Sequence, residues 1–199
     1  MNAMKKRMDN QQVNSQKGFF LKMNEAVPII KGLCIIFFLV LGSITTKGQQ
    51  IQELNNKLAG MKASADPSVR AEGVHLENLV FDLQSTLYFE HGQLASVPVE
   101  NAVMLNTDVS SFDMVLKSSY NKVEILFIKI ESPQDLQLHL NLSSLKGYQN
   151  LKYIYFLCTF DLCPGQNPEG TCVMEKIAKM VNVGRNPIIN VTYSVSIPS

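Results

Sequence analysis

The chain lacks the local signatures by which many enzymes can be read directly. It has no G-x-S-x-G elbow, no H-E-x-x-H helix and no glycine loop able to cradle a phosphate. Serine hydrolases of the elbow type, zinc proteases of the H-E-x-x-H type and P-loop nucleotide enzymes are therefore excluded. A hydrolase that pairs two distant carboxylates leaves no such mark. Asp82, Glu90, Glu124, Glu131, Asp135 and Asp161 are scattered enough to leave that class open. There is no low-complexity tract, and no second apolar span follows the one near the N-terminus.

Positive charge is also scarce once the first 48 residues are set aside. That stretch holds seven of the 18 basic residues (Lys5, Lys6, Arg7, Lys17, Lys22, Lys31 and Lys47) and two of the 17 acidic ones, Asp9 and Glu25. The remaining 11 basic and 15 acidic residues leave a net charge of −4 on about 150 residues. No basic stripe is left for a nucleic-acid backbone or an anionic membrane, so no nucleic-acid partner is expected.

The basic stretch precedes an apolar run from Leu33 to Leu41 that weakens through Gly42 and Ser43 to Ile44. At about a dozen residues the run falls short of the roughly 20 that a spanning helix needs. A positive flank, a short apolar core and small residues beyond it are the parts of a secretory signal. Residues 1–48 are read as that signal, with Thr46 and Gly48 at the −3 and −1 positions and cleavage between Gly48 and Gln49. Met23 is a second candidate start. An uncleaved anchor over Ala26 to Ile44 is the alternative, with Lys31 against it, and only that alternative gives the chain a membrane partner. Cys34 stands at the beginning of the run, whereas a lipoprotein cysteine follows it. The mature protein is accordingly expected to be secreted or periplasmic.

Residues 49–72 read as a polar helix or tether, with Ile51, Leu54, Leu58 and Met61 at helical spacing, and residues 73–199 as the folded domain. Leu79, Phe81 and Leu83 alternate with polar neighbours and predict a half-buried strand from Glu77 to about Phe89. His91-Gly92 marks a turn, and a second strand is expected near Val99, Val103 and Leu105. Asp108 and Ser110 are candidate caps for a helix carrying Phe112, Val115 and Leu116. Val123 to Ile130 and Leu151 to Phe160 are strands rich in β-branched and aromatic residues. Pro133 breaks the segment between them, and Leu142 to Lys146 form a helical turn. Val173, Ile177, Met180 and Val181 give a further helix, Gly184 a stop, and Ile188 to Ile197 a last strand.

Connections this long favour crossovers over hairpins. The expected fold is a single α/β domain of alternating β-α units with a partly parallel sheet. Val123, Leu126 and Ile128 match Leu151, Ile154 and Phe156 at a shift of 28 residues, and Ile188, Val191 and Tyr193 share the same L-x-x-L-x-L frame. This pattern resembles two or three degenerate units of a leucine-rich repeat. The resemblance implies a short irregular solenoid as the alternative fold, with a curved sheet whose exposed strand face binds another protein.

Export would place Cys158, Cys163 and Cys172 in an oxidising compartment. The turn-rich PGQNPEGT between Cys163 and Cys172 can bring its ends together, which predicts that disulfide, with Cys158–Cys163 as runner-up. The spacing C-x4-C-x8-C matches no common zinc pattern, and no metal or cofactor is expected. His75, His91 and His139 sit in no catalytic motif, and a Cys158–His139 couple would need hydrogen-bond reach. Asn141-Leu142-Ser143 and Asn190-Val191-Thr192 are glycan acceptors only in a host that modifies such sites. The sequence points to a non-catalytic exported domain that binds a protein or envelope component. The alternative is a small exported hydrolase using carboxylates or a cysteine.

Overall fold

The structure is a computed structural model describing residues 51–97, 99–165, 171–182 and 189–197. Residues 48–199 form one unit. The expected signal, with Gly48 and Gln49, lies outside the described residues, as do Gly184 and Pro187.

The chain enters through β1 (Gln52–Glu53) and α1 (Leu54–Lys62), followed by α2 (Pro67–Phe81). Next come β2 (Thr86–Glu90), β3 (Gln93–Leu94), β4 (Met104–Asp108), α3 (Phe112–Lys117) and β5 (Ile125–Ile130). Two 3-10 turns, Pro133–Gln137 and Leu142–Ser144, flank β6 (Leu140–Asn141). Then β7 (Tyr153–Cys158), α4 (Thr171–Met180), β8 (Val181–Asn182) and β9 (Asn190–Val195) complete the described elements. The main sheet runs β1-β9-β7-β5-β4-β2-β3. Every pair in it is parallel except the β2–β3 hairpin. This is the expected α/β domain. β6 and β8 form a separate two-stranded parallel pair.

From β2 to β9 the five parallel strands lie side by side in chain order, so their connections stack on one face of the sheet. That face carries the larger core. Leu87, Leu105, Leu126, Ile154 and Val191 form one register row, and Phe89, Thr107, Ile128, Phe156 and Tyr193 the next but one. All ten are buried, and they pack against Phe112, Val115, Leu140, Tyr148, Val173 and Ile177 from the crossovers. The 28-residue shift seen in the sequence is thus a true register identity of β5 and β7. The row is not evenly spaced, however. Its members are separated by 18, 21, 28 and 37 residues, so the frame survives while the connecting units grow.

The opposite face is covered in part by α1 and α2. Leu54, Leu58, Leu76 and Leu79 pack on Met104, Ile125, Tyr153 and Tyr155. Gly73 is buried where the helices touch, since a Cβ there would come within 2.9 Å of the Met61 Cβ. Parallel sheets are stable when both faces are covered, and this hairpin supplies the second layer. Residues 52–62 are therefore part of the sheet domain rather than a spacer before it, and position 72 lies inside α2.

The expected strand from Glu77 is a correction: residues 67–81 are helical. Asp66 caps the helix by accepting from the Ser68 N–H, and Pro67 fits the first turn, where no intrahelical donor is needed. Leu76 and Leu79, spaced i, i+3, are the buried pair, while Phe81 and Leu83 are exposed at 61% and 104%. The alternation was a chance overlay on a helical face, and the strand begins only at Thr86.

His91 and Gly92 both have positive φ, +53° and +75°, forming the two-residue turn between β2 and β3. Asp108 anchors that turn from β4. Its carboxylate accepts from the backbone N–H of His91 at 2.8 Å, from the Ser111 N–H at 2.7 Å and from the Ser110 hydroxyl at 2.9 Å. Burial alone would raise its pKa. These bonds outweigh that effect and hold it below the usual carboxylate range.

Candidate functional site

Of the residues singled out in the sequence, the structure brings together the Cys163–Cys172 pair, His75 with Glu124, and the His91 backbone with Asp108. The sulfurs of Cys163 and Cys172 lie 2.05 Å apart and their Cα atoms 6.4 Å apart, a disulfide that ties the end of the β7 loop to the first turn of α4. Asp161 bends the chain into Cys163 by accepting its N–H at 2.8 Å. Cys158, the remaining described cysteine, is fully buried in the main core and unpaired. Burial pushes its thiol up to about 12, which suits packing and not nucleophilic attack. His139 is exposed beside β6. Among the described residues no group of three or more His, Cys, Asp or Glu could hold a metal, and no helix is long and apolar enough to cross a membrane.

A charged seam that the sequence did not disclose joins α2 to the starts of the strands. Glu72 and His75 are one turn apart on α2. The Tyr153 hydroxyl donates to Glu72 at 3.0 Å, and His75 Nε2 lies 2.9 Å from Glu124 Oε2. Lys152 reaches the same Glu124 oxygen at 2.7 Å. From α1, Lys57 donates to the Asn190 amide oxygen at 2.9 Å. Burial lowers the Lys57 pKa, opposed by the negative charge of Glu72. These groups are mutually satisfied, so the seam is a latch that fixes the helical hairpin. It also occupies Asn190, whose Thr192 partner in the Asn-x-Thr sequence is fully buried. Asn141 is exposed.

Glu124 makes the latch sensitive to acid. Burial works to raise its pKa, but bonds and charges from Lys152 and His75 prevail and leave it depressed. A depressed folded-state pKa contributes stability above the unfolded value, about 4.3, and loses it as pH falls through the folded value. Glu124→Gln is expected to lower the urea midpoint at neutral pH and to flatten its fall on acidification. An unchanged acid limb in the variant would contradict this.

Part of the second sheet face is left open beyond the hairpin. One register row across it reads Tyr88, Asn106, Phe127, Tyr155 and Thr192. Tyr88 is exposed at 41%, Asn106 and Phe127 are half-buried, and Tyr155 and Thr192 are covered. Phe127 and Tyr155 meet edge to face with centroids 4.7 Å apart. The row nearer the strand C-termini holds Asp108, Lys129, Leu157 and Ser194, all half-buried. In the middle of this surface the Asn106 Oδ1 is buried without a hydrogen-bond partner among the described residues. Strand C-terminal ends are where parallel α/β sheets commonly receive ligands. Period-2 reading of β2, β4 and β5 assigns these residues to one face, but it cannot show which part of that face α1 and α2 leave bare.

No protein-family model, no curated protein and no solved structure matches this chain.

Proposed function

We propose that the chain is an exported, non-catalytic domain that binds another protein or an envelope component through the open part of its second sheet face. The observation that carries this reading is the Asn106 amide. An unsatisfied acceptor on a half-buried strand costs free energy, and positions that break a local rule of folding are often functional. Here the acceptor sits between Tyr88 and Phe127, aromatic side chains of the kind enriched at interfaces. The cysteine pair at bonding distance fits an oxidising compartment, in keeping with the secretory reading of residues 1–48. The buried, weakly acidic Cys158 removes the main support for a cysteine hydrolase.

The test is capture from envelope and secreted fractions with the full chain tagged at its C-terminus, beside a Tyr88→Arg variant. Tyr88 is exposed, so the change leaves the core intact. Proteins or glycans enriched by the wild type should be lost with the variant. Recovery of the same set by both, or of nothing above background, contradicts the proposal.

A further inference from the structure

We draw no further inference here: the strongest candidate outside the site already described, the open cleft of about 340 Å³ between the 142–151 crossover and Ile189, sets Lys146 beside a floor of Leu142, Leu145, Leu151 and Ile189 that is already buried, and nothing in the structure shows what covers it.

Discussion

Leu54→Ala is expected to destabilise the protein by about 3 kcal/mol, within the 2–5 kcal/mol typical of a large-to-small change at a buried leucine. Leu54 is only 1% exposed and begins α1 directly after β1 has paired with β9. It packs with Leu58, Leu76 and Leu79 over Met104, Ile125 and the Tyr153 ring. Removing its three outer carbons therefore opens a void between helix and sheet that the closely apposed hairpin cannot easily close. A spacer lying before the domain would tolerate the same change without effect. Urea unfolding at neutral pH distinguishes the two. A midpoint within error of wild type would show that the N-terminal hairpin is not part of the cooperative unit.

Cys163→Ser should cost about 2–3 kcal/mol through loss of the Cys163–Cys172 bridge. The two cysteines stand nine positions apart in the sequence. In the chain-entropy account, closing a loop of that size restricts the unfolded ensemble by roughly this amount. Cys163 is itself buried in the main core, so Cys172→Ser, at the less buried end, gives the cleaner value. Either variant should unfold at the same denaturant concentration with and without reductant, while the wild type shifts downward when reduced. If reductant leaves the wild type unmoved, the bridge contributes nothing to stability.

The central strands were legible because their burial on both faces writes continuous apolar runs. Leu126 with Ile128 and Ile154 with Phe156 then reveal the register at a constant shift. The disulfide was legible for a similar reason, since its closure is local and the loop is rich in turn residues. The helix over 67–81 was not, because Leu79, Phe81 and Leu83 satisfy a period of two by accident. The decisive helical signals were the Asp66-Pro67 start and the Leu76–Leu79 spacing. The latch could not be read at all. Its bonds join residues 49 apart for His75 and Glu124 and 81 apart for Glu72 and Tyr153, and only the folded topology brings them together. The open face fails for the same reason. Alternation assigns Tyr88, Asn106 and Phe127 to one side of the sheet, whereas their exposure depends on where the helical hairpin of residues 54–81 comes to rest on that side.

The central claim is that the sheet face around Asn106 is kept for binding at the expense of stability. Asn106→Val tests it most directly, with stability and partner recovery measured on the same full-length protein. Valine suits a strand and removes the unpaired acceptor, so the urea midpoint should rise, by about 1 kcal/mol in free energy. Recovery of partners from the envelope and secreted fractions should fall. A variant that is destabilised, or that is stabilised and still recovers the same partners as the wild type, would contradict the account.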